Sequence, residues 1–367
     1  MANPAVDDSL DFHPRKTATL IGHTEAQAEL AQAWASGRMP HAWLLAGPRG
    51  IGKATLAYRF ARQVMAHGGG GGALFGDAGP ATLGEVAPEH PVFRRVAGQA
   101  HPDLCVIEIG VDPKTDKQRE EIIVKDARTA VEFFAHTSAD GGWRVAIIDA
   151  ADELNEESAN ALLKIVEEPP ERGLILVVAH RPGFVLPTIR SRCRVLRMKP
   201  LDDAVVTQVL AQQWPELAVD DGGSLLGMAE GSPGRAIALA QADGVGFYSD
   251  LVAWMGKLPA IDVPLMHKIA DRLTRRDLGR GFRTLAALPE WALVRAIRAG
   301  AGMQPRAEVL PGEIEVFSRV LGRRNLDHWV AVWEKVSLLL AQGTDLNLDR
   351  KALALNVLSA LGRAARV

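Results

Sequence analysis

The segment that most constrains this chain is Gly47-Pro-Arg-Gly-Ile-Gly-Lys-Ala-Thr55, wedged between an apolar run and a helical pattern. The run Ala42-Trp-Leu-Leu-Ala46 reads as a buried strand, and the pattern after the glycines predicts a helix from Lys53 to about Ala66. A strand, a glycine-rich turn and a helix in that order make a phosphate-binding loop. Gly47, Gly50 and Gly52 let backbone N–H groups turn inward, the helix N-terminus adds partial positive charge, and Lys53 can reach the outer phosphates. Magnesium needs a hydroxyl directly after that lysine. Ala54 stands there, and the hydroxyl of Thr55 comes one residue later, turned by about 100° around a helix. Two readings stay open: a cradle for ATP that holds magnesium poorly, or a tight turn that binds nothing.

A second unit of the same kind follows. Trp143-Arg-Val-Ala-Ile-Ile148 reads as a strand ending at Asp149, and a helix is expected from Glu156 to Glu168, halted by Pro169-Pro170. A third strand is expected at Leu174–Ala179. Continuous apolar strands alternating with helices imply a parallel sheet covered on both faces. An aspartate closing such a strand orients the water shell of a bound metal, although capping a loop or helix is the commoner duty of Asp. Val145-Ala-Ile-Ile-Asp149 resembles a Walker B strand, and that resemblance to AAA+ ATPases implies a Glu directly afterwards to polarise the attacking water; Ala150-Ala151 follow instead, and Asp152 is a poor substitute.

Residues 67–90 include five consecutive glycines, Gly68 to Gly72, and read as a mobile insertion that cannot bury enough surface to offset its chain entropy. Arg94-Arg95 just beyond it are read as solvated loop residues. From Leu201 onward strand signals fade and helical patterns take over, for example Leu265–Leu288 and Leu326–Leu340, with breaks at Asp221-Gly-Gly223 and Gly244–Gly246. A net charge of −2 speaks against a chain that clings to nucleic acid on its own. Two cysteines, Cys105 and Cys193, exclude a disulfide framework and a four-cysteine zinc site and suit a reducing cytoplasm. Met1–Lys16 lacks the apolar core of a secretory signal, and no run approaches the roughly 18 apolar residues of a membrane span.

The stretch Asp149–Pro170, with Asn160-Ala-Leu-Leu-Lys164 and Glu167-Glu-Pro-Pro170, is followed by Ser191-Arg-Cys193. Together these pieces resemble the clamp-loader family of AAA+ proteins, which includes bacterial loader subunits and eukaryotic replication factor C. Further likenesses are Ile21-Gly-His23, His101-Pro-Asp-Leu104, Ile123–Arg128 and Gly231-Ser-Pro-Gly-Arg235, so that the matches span residues 20–240 and favour the delta-prime branch over the ATPase subunits.

The resemblance implies a P-loop AAA+ parallel-sheet domain at 1–200, a small helical lid domain at 201–245 and an all-helical collar domain at 246–367. It implies that Arg192 projects into the ATP site of a neighbouring subunit, while Arg235 belongs to the lid segment that faces nucleotide. As a strand residue in the cluster Arg190, Arg192, Arg194 and Arg197, Arg192 would otherwise be an exposed or ion-paired arginine. The implied partners are gamma/tau ATPase subunits and a delta subunit in a hetero-pentamer, and through it a sliding clamp and primed DNA, with no membrane. The family often carries a four-cysteine zinc module before the His-Pro-Asp strand; here no cysteine precedes Cys105, so no zinc is expected. The polar residue that ends the third strand in active relatives is replaced by Ala179 or His180. The expected cofactor is ATP bound without efficient hydrolysis. The alternative is a working AAA+ ATPase in which Thr55 and Asp152 take the metal and catalytic roles.

Overall fold

Alternate residues of the predicted strands point to opposite faces of one sheet, and both faces are buried. In the computed structural model this sheet belongs to the first of two units, Met1–Val205 and Val206–Val367. The structure describes residues 13–67, 82–112, 117–119, 121–138, 141–215, 223–274, 281–303, 308–322, 325–345 and 349–366. The glycines at 68–72 lie outside them.

The first unit runs α1 (Thr24–Ala35), β1 (Ala42–Ala46), α2 (Lys53–His67), α3 (Pro91–Ala97), β2 (Leu104–Glu108), β3 (Val111–Asp112), β4 (Lys117–Gln118), α4 (Val124–Ala135), β5 (Arg144–Asp149), α5 (Glu156–Glu167), β6 (Gly173–Ala179), α6 (Pro187–Arg190) and β7 (Arg194–Arg197). Five strands form a parallel sheet in the order β2-β5-β6-β1-β7. Trp43, Leu45, Val145, Ile147, Leu174 and Leu176 face one helical layer that includes Leu30, Trp34 and Phe60. Leu44, Ala146, Ile148, Ile175 and Val177 face the other, with Ala130, Phe134, Leu162 and Ile165. Burial on both faces is why these strands read as unbroken apolar runs.

Local signals set the helix ends. Asn155 caps α5 by accepting the Ser158 N–H at 2.9 Å, Glu156 and Glu157 suit the positive end of the helix, and Pro169-Pro170 follow its last turn. Pro91 opens α3 behind a His90 cap, so Arg94 and Arg95 are exposed residues of a helix rather than of the expected loop. The described end of the glycine insertion, residues 82–90, lies along α2, with Leu83 and Val86 buried and Arg59 donating to the Leu83 carbonyl at 3.0 Å.

The second unit is helical: α7 (Asp203–Gln213, which begins just before its boundary), α8 (Ser224–Ala229), α9 (Pro233–Gln241), α10 (Gly244–Met255), α11 (Val263–Leu273), α12 (Gly281–Ala286), α13 (Leu288–Gly300), α14 (Glu313–Leu321), α15 (Leu326–Asp345) and α16 (Arg350–Arg366). The expected lid and collar segments both fall in it from Val206 on. The pattern read as Leu265–Leu288 is divided among α11, α12 and the start of α13. The Thr274 hydroxyl closes the end of α11 on the Asp271 carbonyl at 2.8 Å, and Pro289 opens α13. Gly244–Gly246 form the first turn of α10, so the break falls at Ala242-Asp243. Glu313, wholly buried, accepts from the Tyr248 hydroxyl at 2.9 Å and the Val309 N–H at 3.1 Å and pairs with Arg295. Among the described residues no helix is long and apolar enough to cross a membrane.

Gly47 sits where β1, β6 and the end of β7 converge. Its N–H donates to the Ala179 carbonyl at 3.2 Å, and a Cβ on it would lie 2.3 Å from the Met198 carbonyl oxygen. Backbone, not a flexible side chain, fills that space. Gly47→Ala is expected to lower unfolding free energy by roughly 2 kcal/mol or more, measured by urea titration. Gly183→Ala, where a Cβ meets nothing within 4 Å, should change it by less than about 0.5 kcal/mol.

Candidate functional site

The phosphate loop joins the carboxyl end of β1 to α2. Gly50 (φ 77°) and Gly52 (φ 107°) take left-handed conformations that allow its turns. Lys53, the first residue of α2, is 3% exposed. Its ammonium donates to the Gly47 carbonyl at 2.6 Å and the Pro48 carbonyl at 2.5 Å. Burial lowers its pKa to about 8, against the opposing pull of Asp149 and Asp152, so it remains a cation at pH 7. Ala54 and Thr55 follow in the first turn of the helix. His23, in the glycine-histidine turn before α1, donates from Nε2 to the Ile51 carbonyl at 2.7 Å and braces the loop from outside. Burial, chiefly, lowers its pKa.

Asp149 ends β5 directly beside Glu108 at the end of β2. Burial raises its pKa to about 6, helped by Glu108 and Glu153, while Lys53 and Arg49 oppose the rise. Ala150 is fully buried, and the next residues form a single 3₁₀ turn, Ala151–Glu153. Asp152 is turned into the structure: its side chain, 2% exposed, accepts the His180 N–H at 2.7 Å and faces Arg181 Nε at 3.6 Å. Glu153 pairs with Arg49 at 3.2 Å. His180 is held neutral, its pKa pushed down to about 3 by burial first and then by Lys53 and Arg49. A base that weak takes no proton at neutral pH.

The structure therefore brings Gly47, Gly50, Gly52, Lys53 and Asp149 together at the carboxyl edge of the sheet, the edge where open α/β sheets bind ligands. Thr55 enters only as the third residue of α2. Three charged neighbours were not singled out from sequence: Arg49 in the variable part of the loop, Glu108 and Glu153. Glu108 could be found only once β2 and β5 are known to be neighbours.

Arg192 lies elsewhere. It occupies the turn between α6 and β7, not a strand, and is exposed. Its guanidinium donates to the Thr188 carbonyl at 3.0 Å and pairs with Glu167 at 2.9 Å. Arg194 stands beside Trp43, the second residue of β1, so Arg192 sits at the amino edge of the sheet. A five-residue strand separates that edge from the phosphate loop, roughly 15 Å at ordinary strand rise. Arg235, in the second unit, follows the Ser232 cap of α9. It pairs with Glu230 at 2.8 Å, and its guanidinium lies 5.2 Å from the centre of the Trp291 ring.

A family model described as DNA polymerase III, delta subunit, matches residues 22–202. The chain is 33% identical to a DNA polymerase III subunit delta-prime of Pseudomonas aeruginosa over 56% of this chain and 58% of that protein. It is 30% identical to a delta-prime subunit of Yersinia pestis over 71% of this chain and 72% of that protein. It is also 27% identical to a gamma/tau subunit of Mycobacterium bovis, over 76% of this chain but 46% of that protein. The chain thus spans less than two thirds of the first and third of these relatives.

The raised pKa of Asp149 means that the folded chain binds a proton there more readily than the unfolded chain. That contribution is present at low pH and lost as pH rises from about 4 through about 6. Asp149→Asn, which mimics the protonated side chain, is therefore expected to stabilise the protein at pH 7.5 by on the order of 1–3 kcal/mol. The gain should shrink towards zero near pH 4, measured as paired unfolding titrations. A gain independent of pH would contradict the account of this cluster.

Proposed function

The chain belongs to the family of DNA polymerase III delta-prime subunits, and from that premise we propose that it is a clamp-loader subunit that serves a neighbour's ATP rather than its own. Its P-loop AAA+ unit packs beside a gamma/tau-type ATPase subunit, in a hetero-pentamer that also holds a delta subunit. The assembly opens a ring-shaped sliding clamp and sets it on primed DNA. ATP binds the phosphate loop through backbone N–H groups and Lys53 and is not efficiently hydrolysed there. No metal hydroxyl follows Lys53, Ala150 stands in place of the water-polarising carboxylate, and Asp152 is already engaged by His180 and Arg181. Zinc plays no part in this reading.

The observation that carries it is the place of Arg192. At the amino edge of the sheet it cannot reach phosphates bound at the carboxyl edge of its own sheet, yet it is exposed and steadied by Glu167 and Thr188. A guanidinium is always charged, and its fork matches two phosphate oxygens. It stabilises the charge that develops as the neighbour's terminal phosphate is transferred.

Arg192→Ala in the reconstituted loader is expected to assemble normally and to lose roughly 10³–10⁵ in turnover at the one site served, which removes that site's share of the steady-state ATPase rate. Arg192→Lys should recover little, because a point charge lacks the fork. Unchanged ATPase and clamp-loading rates in Arg192→Ala would overturn the assignment.

A further inference from the structure

Arg49 stands in the variable stretch of the phosphate loop, between Gly47 and Gly52, where the motif asks for no particular side chain. Its guanidinium donates at 3.2 Å to Glu153, the carboxylate of the 3₁₀ turn that follows β5. In the sheet β6 lies between β1 and β5, so this pair bridges the carboxyl end of β6 from the loop on one side to the turn on the other. Burial is the main cause of the pKa shifts of Lys53, His180 and Asp149, and the Arg49 charge contributes to all three. The guanidinium therefore stands over the mouth of the loop.

The two ends of the pair are unequal. The Glu153 side chain is 17% exposed and that of Arg49 is 71% exposed. The Glu153 N–H donates to the Ala150 carbonyl at 3.0 Å, and its own carbonyl accepts the Ile122 N–H at 2.7 Å. The carboxylate is thus the fixed partner, and the long arginine side chain is the one that can leave. An ion pair with one end so open to water biases an equilibrium only a few-fold.

A phosphate chain entering this loop needs positive charge. Lys53 supplies one cation, already donating to the Gly47 and Pro48 carbonyls, and Ala54 offers magnesium no hydroxyl. Asp149, with Glu108 beside it and Glu153 nearby, adds negative charge of its own. Arg49 is the further cation that the loop itself carries, and its fork matches two phosphate oxygens.

We propose that Arg49 and Glu153 form a latch over the phosphate loop: Glu153 holds Arg49 while the loop is empty, and an entering nucleotide takes Arg49 as a ligand of its polyphosphate in place of a metal's charge. Glu153 then lowers affinity by competing for that guanidinium, without touching the ligand. The proposal rests on the reading of the loop as a nucleotide cradle and names the side chain that completes it.

The test is calorimetric ATP binding to the full chain at low ionic strength with EDTA present, so that neither metal nor turnover enters. Arg49→Gln is expected to weaken binding roughly 10-fold. Glu153→Gln should tighten it roughly 3- to 5-fold, a gain that loss of folding cannot mimic. In the Arg49→Gln background the Glu153→Gln change should move affinity by less than about 1.5-fold, because nothing is left to compete for. Tightening that persists in that background would overturn the latch, since Glu153 would then act by direct repulsion. Unchanged affinity in Arg49→Gln would overturn it too, as would wild-type binding that appears only with magnesium. No ATP binding in wild type or in any variant would remove the cradle reading together with the latch, whereas wild-type binding that ignores both substitutions would remove the latch alone.

Discussion

Parallel pairing is the constraint on which the rest of the first unit depends. Once β1 is hydrogen-bonded between β6 and β7 in parallel, every connection must leave from one edge of the sheet and return to the other. The loop after β1 and the turn after β5 are forced onto the carboxyl edge, where Lys53 meets Asp149. The turn before β7 is forced onto the amino edge, where Arg192 emerges. One arginine and one lysine, both fitted to phosphate, are kept a strand's length apart by backbone hydrogen bonds alone. That separation turns an ion-paired surface arginine into a candidate for work on another subunit.

At the carboxyl edge the balance of charge is internal. Lys53 bonds the loop's own carbonyls, Arg49 takes Glu153, and Arg181 with the His180 N–H takes Asp152. Glu108 beside Asp149 concentrates negative charge where little water screens it, and burial raises the Asp149 pKa further. A metal ion would offset that cost, but the residue after Lys53 offers it no hydroxyl. The site keeps the backbone of a nucleotide cradle. Asp152 and Glu153 are engaged in contacts that hold the fold, whereas the buried Asp149 carboxylate costs it stability.

Much of this was legible in the sequence. The strands at Ala42–Ala46 and Leu174–Ala179, the helix opened by Lys53 and the helix stopped before Pro169 follow from apolar runs, glycines and prolines. That Ala54 follows Lys53 and Ala150 follows Asp149 needs no structure to see. What stayed hidden depends on which strands are neighbours. Glu108 and Asp149 lie 41 positions apart in the chain and side by side in the sheet. Arg192 read as a strand residue, whereas the chain leaves α6 at Arg190 and enters β7 only at Arg194. The helical pattern at Leu265–Leu288 is helical in the structure, but its division among α11, α12 and the start of α13 was not visible in the apolar spacing.

The account's central claim is that the phosphate loop of this chain does not turn over its own ATP. The most direct test is steady-state ATP hydrolysis by the purified full chain, with and without magnesium, alongside Lys53→Ala. The account predicts no magnesium-dependent turnover in either protein. Clear magnesium-dependent turnover that disappears in Lys53→Ala would contradict it, and would assign Thr55 and Asp152 the metal and catalytic roles of a working motor.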